Sequence, residues 1–304
     1  MANRQIGFVG LGAMGGGMVT SLLRNGFPVK VYDLYPQARA KYVAMGATEA
    51  LSPREAAEGV AVVCSSLPMP ADVESAALGP NGIIEGIKAG AVYIDLSSID
   101  PGTTKKVGEA LAAKGAKMID SPVGPGPDAA AAGQLTLMLG GDPAVIETCQ
   151  DVLKSLGARQ FYCGPLGSGV ATKMINNLVS TTINALNAEA MVLGQKMGLD
   201  LDVLTSVMGT TAADSRHLHM TTRELQLNRN FKPRFRLALA HKDIGIAVKY
   251  AMQVGVPLPI GNASHLIHSV AMGQGLANED QAAVIKAIEQ VAGVEARYKE
   301  GGEK

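Results

Sequence analysis

Residues 5–15 read QIGFVGLGAMG, a short apolar run followed by three glycines in the spacing G-x-G-x-x-G. An amphipathic helical pattern follows at once, so the glycines lie between a predicted strand and a predicted helix. In this setting Gly10 permits a tight turn, Gly12 lets the backbone approach a pyrophosphate, and Gly15 lets helix and strand pack closely. We therefore predict a dinucleotide site at Gly10, Gly12, Ala13, Met14 and Gly15. The alternative is a turn without a ligand, because a chain with 36 glycines can produce the spacing by chance.

An acidic residue closes the second predicted strand. Asp33 follows Val29–Tyr32 and lies eighteen residues after Gly15. A carboxylate at this place accepts hydrogen bonds from the ribose hydroxyls of NAD and repels the 2′-phosphate of NADP. Arg39 is the first arginine that follows, and we expect it to be solvated. The pattern predicts NAD (NADH) as the cofactor, although Asp33 is also suited to cap the next helix.

Strand and helix patterns alternate in the first half of the chain. The predicted strands are Gln5–Val9, Val29–Tyr32, Val60–Ser65, Val92–Asp95, Lys117–Asp120, Leu135–Leu139 and Gln160–Tyr162. The helical patterns between them include Gly15–Asn25, Gln37–Met45 and Thr103–Lys114. This alternation predicts parallel βαβ units with helices on both faces of the sheet.

Only helical patterns follow Gly164–Gly169. They cover Val170–Met197, Asp202–Met208, His241–Val254, Ala263–Met272 and Asp280–Val294. We therefore predict an α/β fold with an N-terminal Rossmann dinucleotide-binding domain over residues 1–165. An all-α C-terminal domain, for substrate binding and oligomerisation, is predicted over residues 166–304.

Composition excludes several classes of partner. The 27 basic and 27 acidic residues balance, whereas a nucleic-acid partner requires clustered positive charge. No apolar run reaches the roughly 18 residues of a membrane span, and the first residues do not follow the order of a signal peptide. Cys64, Cys149 and Cys163 lack metal-ligand spacing, so we expect reduced, mostly buried thiols and no metal. We expect a cytoplasmic protein without membrane or nucleic-acid partners.

Two charged motifs lie in the helical half. Lys173 and Asn177 are four residues apart, which places them on one face of the long predicted helix. Spacing alone favours an ordinary helical lysine whose tail reaches solvent. Lys242 and Asp243 are likewise compatible with a charged first turn of a helix. These patterns by themselves do not assign a reaction.

Four separated motifs resemble the β-hydroxyacid dehydrogenase family, which includes 3-hydroxyisobutyrate dehydrogenases and tartronate semialdehyde reductases. They are residues 6–15 (IGFVGLGAMG), 120–123 (DSPV), 167–177 (GSGVATKMINN) and 241–243 (HKD). The resemblance covers nearly the whole chain and implies a Rossmann domain followed by a helical domain. It also implies hydride exchange between a nicotinamide and a 3-hydroxy acid or its aldehyde, in a homodimer or homotetramer.

The resemblance implies roles for individual residues. Lys173 matches the general acid/base, and Asn177 is expected to orient the substrate and the lysine ammonium. Lys242 matches a residue near the nicotinamide and the substrate, with Asp243 fixing the local network. Further cofactor contacts are implied at Leu67, Pro68 and Ser98.

The expected substrate loop departs from the family pattern. The family sequence Asp-Ala-Pro-Val-Ser-Gly-Gly is replaced by DSPVGPG at residues 120–126. Gly124 removes a hydroxyl donor and Pro125 removes an amide donor. Sulfolactaldehyde reductases share the glycine but follow it with an arginine, where this chain has Pro125. We retain Gly124, Pro125 and Gly126 as substrate-binding candidates in a changed pocket.

The helical half offers replacement contacts for an anion. Ser180 lies three residues after Asn177 and is a further substrate-binding candidate. Arg216, His217 and His219 are candidates for an anion contact, against the alternative of a solvated polar turn.

These observations predict an NAD(H)-dependent oxidoreductase that interconverts a small, 3-hydroxyisobutyrate-like 3-hydroxy acid and its semialdehyde. The changed loop keeps open a sulfonate such as sulfolactaldehyde, succinic semialdehyde with 4-hydroxybutyrate, or a threonate-type substrate. A non-catalytic NAD(H)-binding regulatory protein is the alternative of another class. Imine reduction is less favoured because Lys173 is retained, and the physiological direction stays open.

Overall fold

The computed structural model describes residues 4–298. The chain forms two compact units, Met1–Met174 and Ile175–Lys304. The first is an α/β unit and the second is helical, which confirms the predicted fold class. The predicted domain boundary after residue 165 stays a prediction.

The first unit contains one nine-stranded sheet. Its strands are β1 (Ile6–Val9), β2 (Val29–Tyr32), β3 (Thr48–Glu49), β4 (Val62–Ser65), β5 (Val92–Asp95), β6 (Lys117–Asp120), β7 (Val123–Gly124), β8 (Thr136–Gly140) and β9 (Arg159–Gly164). The order is β3-β2-β1-β4-β5-β6-β8-β7, with β9 paired to β8. Strand order reverses between β1 and β4, and a doubly wound sheet binds ligands at the carboxyl ends of strands at such a point.

Nine helices connect these strands. They are α1 (Ala13–Arg24), α2 (Pro36–Val43), α3 (Pro53–Ala57), α4 (Pro70–Leu78), α5 (Ile83–Gly86), α6 (Pro101–Ala113), α7 (Pro127–Ala132), α8 (Pro143–Thr148) and α9 (Gln150–Leu156), within the described part of this unit. Successive residues of the central strands enter different buried clusters. Phe8, for example, packs in one cluster and Val9 in another, as expected for a sheet covered on both faces.

The sheet departs from the predicted parallel arrangement beyond β6. The six neighbouring strands β3-β2-β1-β4-β5-β6, in the order of the sheet, pair in parallel. Strand β8 is antiparallel to β6 and to β7. The prediction is wrong for β8, whereas β9 pairs in parallel with β8. Residues 125–135, which connect β7 to β8, are fewer than the dozen or more that a parallel crossover takes. The two-residue strands β3 and β7 and the short helices were missed, since a few residues carry no periodic signal.

Every secondary-structure element assigned to the described residues of the second unit is a helix, and Arg236 and Asp280 form one isolated β-bridge. Helix α10 (Ser168–Lys196) leads into it, followed by α11 (Leu201–Met208), a π-helix (Leu218–Gln226), α12 (Leu237–Gln253), α13 (Pro259–Gly273), two 3₁₀ turns (Leu276–Asn278 and Gln281–Ala283) and α14 (Val284–Ala292). A buried cluster of its own includes Met191, Leu201, Leu237 and Ile285. The long predicted helix is confirmed to within a few residues at each end, while the π-helix was not predicted.

Candidate active site

Three glycines form the turn between β1 and α1 for different steric reasons. The backbone of Gly10 is left-handed (φ +91°), and a methyl group there would overlap the carbonyl oxygen of Ser66. A methyl group on Gly15 would overlap the carbonyl oxygen of Gly10. A methyl group on Gly12 would meet no atom within 4 Å. Packing therefore requires Gly10 and Gly15, whereas Gly12 borders open space, which fits the close approach of a pyrophosphate.

Helix α1 presents its N-terminus at this loop. Its N-cap is Gly12, its first residue is Ala13, and no side chain caps its first N–H groups. Its first turn also carries no acidic residue. Uncapped N–H groups and the positive end of the helix dipole favour an anion. The segment Gly12, Ala13 and Met14 therefore fits the phosphates of a dinucleotide.

Asp33 lies at the carboxyl end of β2 and touches the glycine loop. Its Oδ2 accepts a hydrogen bond from the backbone N–H of Leu11 at 2.7 Å. Its Oδ1 accepts one from Tyr35 N at 2.9 Å. Helix α2 begins at Pro36 with Tyr35 as its N-cap, so the alternative that Asp33 caps this helix is wrong. The carboxylate is thus fixed beside the glycine loop.

Arg39 is not solvated, contrary to expectation. Its side chain is only 13% exposed, and its Nε pairs with Glu49 Oε1 at 2.8 Å. Its Nη1 donates to the backbone carbonyl of Asp33 at 2.6 Å. The guanidinium also lies over the Tyr32 ring. The two-residue strand β3 supplies Glu49, and because that strand was missed, this partner was not foreseen.

A buried network that sequence reasoning missed lies beside the predicted contacts Leu67 and Ser98. Asp95 ends β5, and its Oδ1 accepts hydrogen bonds from Ser65 Oγ at 2.8 Å and Ser97 Oγ at 2.6 Å. Ser97 Oγ accepts a bond from the Leu67 N–H at 2.9 Å. Burial raises the pKa of Asp95 to about 6, against the effect of these hydrogen bonds. The sequence signal that could have indicated this network is a polar residue at the end of each of two apolar strands, Ser65 in β4 and Asp95 in β5.

The start of α10 is held by a buried carboxylate from β6. Asp120 Oδ1 accepts a hydrogen bond from Gly167 N, and Oδ2 accepts one from Val170 N, each at 2.7 Å. Burial raises the pKa of Asp120, while these backbone donors oppose that rise. Side chains on Gly140 or Gly169 would overlap the carboxylate. Asp120 therefore anchors the start of the helix that carries Lys173, a role the sequence did not reveal.

Lys173 lies beside the altered loop. A Cβ atom on Gly124 would be 3.6 Å from the Lys173 Nζ atom, which is its one neighbour within 4 Å among the described residues. The Gly124–Pro125 peptide is cis. Gly126 is the N-cap of α7, and a methyl group there would meet no atom within 4 Å. The loop thus leaves space next to the ammonium group.

The second unit groups two polar side chains around the Asp243 carboxylate. Asn177 Nδ2 donates to Asp243 Oδ2 at 2.7 Å. Lys242 Nζ pairs with Asp243 Oδ1 at 2.8 Å, and both of these side chains are largely buried. The structure therefore brings Asn177 and Lys242 to one carboxylate, although they are far apart in sequence.

Ser180 is engaged by one of the three candidates for an anion contact. Its Oγ lies 2.7 Å from His217 Nε2. Arg216 Nε contacts the sulfur of Met220, and His219 Nε2 pairs with Asp214. Burial, followed by the charge of Arg216, lowers the pKa of His217. The neutral imidazole is therefore favoured at neutral pH.

Other predictions concern metals, thiols and membranes. Among residues 4–298, no three His, Cys, Asp or Glu side chains are grouped so that they could hold a metal ion. All three cysteines are free thiols, and Cys64 and Cys149 are buried. No helix in the described range is long and apolar enough to cross a membrane.

Comparison with known families shows which family the chain belongs to. Residues 5–164 match the NAD binding domain of 6-phosphogluconate dehydrogenase. Residues 167–288 match the family described as NAD-binding of NADP-dependent 3-hydroxyisobutyrate dehydrogenase. The chain belongs to the β-hydroxyacid dehydrogenase family. It is an NAD-dependent hydroxyacid dehydrogenase.

Individual relatives of this β-hydroxyacid dehydrogenase carry several substrate names. It is 37% identical over 294 residues to the 3-sulfolactaldehyde reductase of Escherichia coli, covering 97% of this chain and 99% of the relative. It is 37% identical over 290 residues to the 2-(hydroxymethyl)glutarate dehydrogenase of Eubacterium barkeri, covering 95% and 96%. A solved Mycobacterium tuberculosis 3-hydroxyisobutyrate dehydrogenase with L-serine superposes with a TM-score of 0.88 at 29% identity, covering 94% and 99%. Imine reductases at 17–18% identity share the fold alone.

Proposed function

We propose that this dehydrogenase interconverts a small 3-hydroxy acid, similar to 3-hydroxyisobutyrate, and its semialdehyde, with Lys173 as the acid/base. The observation that carries the proposal is the position of the Lys173 ammonium beside Gly124, where a Cβ atom would lie 3.6 Å from Lys173 Nζ. A lysine ammonium is a proton donor at neutral pH, which suits the reduction of a carbonyl group.

Each proposed residue has a distinct part in the reaction. When bound, NAD supplies the hydride acceptor for oxidation, and NADH the donor for reduction. In the reductive direction the Lys173 ammonium gives its proton to the aldehyde oxygen, so one hydride and one proton yield the alcohol. In oxidation the neutral amine takes the hydroxyl proton. The Asn177 amide, fixed by Asp243, orients the substrate, and Lys242 binds near the nicotinamide and the substrate.

A second candidate substrate class has a longer or sulfonated acid end. The absence of a side chain at Gly124 and of an amide donor at Pro125 favours it, since both changes weaken a grip on a small carboxylate. Succinic semialdehyde, sulfolactaldehyde and threonate-type substrates belong to this class. The two classes differ in chain length and anion rather than in reaction.

The cofactor preference is proposed to be NAD over NADP. The Asp33 carboxylate beside the glycine loop supports this, because it would repel a 2′-phosphate. The nearby Arg39 guanidinium is already engaged by Glu49 and by the Asp33 carbonyl group. Comparing turnover with NADH and NADPH tests the proposal, and a preference for NADPH would contradict it.

A homodimer or homotetramer is proposed for the assembly. Exposed apolar residues follow one stripe of α10 at spacings of four and seven, namely Ile175, Val179, Leu186 and Leu193. An exposed stripe of this kind is typical of a helix that packs on a partner. Light scattering measures the mass, and a monomer at micromolar concentration would refute the proposal.

The deciding experiment is a substrate screen followed by NADH absorbance, with carboxylate and sulfonate semialdehydes and their alcohols. Lys173→Ala is expected to lower kcat by about a thousandfold while NADH binding, measured by fluorescence, persists. Lys196→Ala, on the same helix, is the matched control. It is expected to keep wild-type turnover because Lys196 is exposed and donates to the Ala292 carbonyl.

Two outcomes would contradict the assignment. Wild-type turnover in Lys173→Ala would remove the acid/base role. NADH binding by the wild-type protein without turnover of any compound in the screen would favour the non-catalytic NAD(H)-binding regulatory protein.

A further inference from the structure

A chain of three hydrogen-bonding side chains ends on Ser180. Ser180 Oγ is 2.7 Å from His217 Nε2, and His217 Nδ1 is 2.9 Å from Thr221 Oγ1. His217 joins α10 to the π-helix, because it is the N-cap of that helix and Thr221 lies within it. Thr221 is buried, whereas Ser180 is partly exposed. The Thr221 end of this row of hydrogen bonds is therefore buried, and the Ser180 end is accessible.

The burial of Thr221 decides the direction of the bonds. Among residues 4–298, the Thr221 hydroxyl has its one hydrogen bond with His217, and the same holds for the Ser180 hydroxyl. If Nδ1 carried the proton and donated to Thr221, the buried Thr221 hydroxyl proton would have no acceptor, which is unfavourable. If Thr221 donates to Nδ1, Nε2–H donates to Ser180 Oγ. The Ser180 hydroxyl proton is then not used in these two hydrogen bonds, and it lies at the accessible end.

Protonation of His217 does not reverse this order at Ser180. An imidazolium donates through both nitrogens, so Ser180 Oγ still accepts from Nε2. The neutral form is the one favoured at neutral pH, since burial and the neighbouring Arg216 lower the pKa of His217, against the pull of Asp280. In both forms the free hydrogen of Ser180 points away from the imidazole.

We propose that His217 is a positioning residue that makes Ser180 a hydrogen-bond donor to an acceptor group on the substrate, such as a carboxylate or sulfonate oxygen. In this relay Thr221 donates to His217 Nδ1, and His217 Nε2–H donates to Ser180 Oγ. This rests on the proposed function, in which Ser180 contacts substrate. Ser180 lies three residues from Asn177 on α10, so both side chains lie near one face of the helix. A donor here supplies the type of contact that Gly124 and Pro125 lack.

The direction of the relay is tested without turnover. Nitrogen-15 NMR of the histidine rings in the full-length protein distinguishes the two neutral tautomers, and His217→Gln identifies the His217 signals by their loss. The expected result is a proton on Nε2 and none on Nδ1. A neutral ring that carries its proton on Nδ1 and none on Nε2 would overturn the proposal, whatever the enzyme's substrate.

The consequence for substrate binding is tested by a double-mutant cycle. The probes are 3-hydroxyisobutyrate, 4-hydroxybutyrate and 2,3-dihydroxypropane-1-sulfonate, with 1-butanol as the alcohol that lacks an anion. For the best anionic probe, Ser180→Ala and His217→Phe are each expected to raise KM about tenfold, with kcat within about twofold. The double variant is expected to match Ser180→Ala alone, because His217 acts through Ser180.

Two further variants separate positioning from a structural role. His217→Gln places an amide donor near the Nε2 position and is expected to keep KM within about threefold of wild type. Ser269→Ala removes the hydroxyl of a second serine–histidine pair, Ser269–His241, and is expected to leave KM unchanged.

An increase of KM by His217→Phe in the Ser180→Ala background would overturn the relay, since it would show that His217 acts by another route. If the wild-type protein oxidises none of the probes and fails the wider screen, the proposed function fails, and the NMR result still decides the direction of the relay.

Discussion

Asn177 donates its side-chain amide to one oxygen of Asp243 at 2.7 Å, while the other oxygen of the same carboxylate pairs with Lys242 at 2.8 Å. Asn177 on α10 and Asp243 on α12 are 66 positions apart in the sequence. The Asp243 side chain is 8% exposed and that of Lys242 is 13% exposed. A single buried carboxylate thus fixes two groups proposed to act in the reaction.

Replacing Asp243 by Asn removes the negative charge from beside the Lys242 ammonium. We expect the free energy of unfolding to fall by about 3 kcal/mol, because a largely buried ion pair is broken. Turnover is expected to fall at least about tenfold as Asn177 loses its charged partner. Denaturant unfolding and steady-state kinetics measure the two effects. Glu224→Gln breaks the half-exposed pair with Arg234 and is expected to change stability by less than about 1 kcal/mol; equal losses in both variants would contradict the argument.

Replacing Asp120 by Asn is expected to destabilise the first unit by about 2–4 kcal/mol, because the amide keeps one acceptor and sets an NH₂ group against a backbone donor. Turnover is expected to fall as well, since Asp120 anchors the start of the helix that carries Lys173. The control is Asp100→Asn at the N-cap of α6, where Asp accepts from Thr103 N. Asn caps helices about as well, so a change within about 0.5 kcal/mol is expected there. Thermal unfolding of the two variants decides the matter, and similar melting temperatures would refute the prediction.

Introducing a serine at Gly124 places a hydroxyl group within reach of Lys173 Nζ. The site has ordinary space for a Cβ atom, so no loss of stability is expected. One added charge-assisted hydrogen bond is expected to lower KM for 3-hydroxyisobutyrate by about tenfold. Gly273→Ser is the control, because a Cβ there meets no atom of the described residues within 4 Å and so lies away from any of their ammonium groups. An unchanged KM in Gly124→Ser, measured by NADH formation, would show that the acid end of the substrate binds elsewhere.

His268 is expected to make stability depend on pH in the acid range. It is fully buried, its Nδ1 donates to the Ser264 carbonyl, and its Nε2 has no partner among the described residues. Burial lowers its pKa from 6.5 to about 4. Between these values the unfolded chain binds the proton and the folded chain does not. The contribution of His268 is therefore complete above about pH 6.5 and is lost as the pH falls to about 4, by up to about 3 kcal/mol.

The measurement for His268 is the difference in unfolding free energy between pH 7 and pH 4.5, compared in wild type and His268→Asn. Asn keeps a donor for the Ser264 carbonyl but has no titratable ring nitrogen. Its pH dependence is expected to be flatter. The comparison is needed because Asp95, whose pKa is raised to about 6, acts in the opposite direction by binding a proton in the folded state. Equal slopes in the two proteins would contradict the prediction.

The sequence by itself determined the elements with a clear period and the turns with a required backbone geometry. Strands β1, β2, β4, β5 and β6 were predicted to within two residues, because buried parallel strands are rich in apolar residues. Gly10 was predictable since a left-handed residue between a strand and a helix requires glycine. The family was predictable because four motifs occur in order along the whole chain.

Tertiary structure alone decided which distant polar groups meet. Nothing in the sequence indicated that Asp120 would accept hydrogen bonds from Gly167 and Val170, or that His217 would lie against Ser180. Arg39 is partly buried and paired with Glu49, which lies on a strand too short to predict. The physical reason is common to all three. Periodicity reports which residues are buried, whereas a hydrogen bond between side chains depends on the positions of two separate elements.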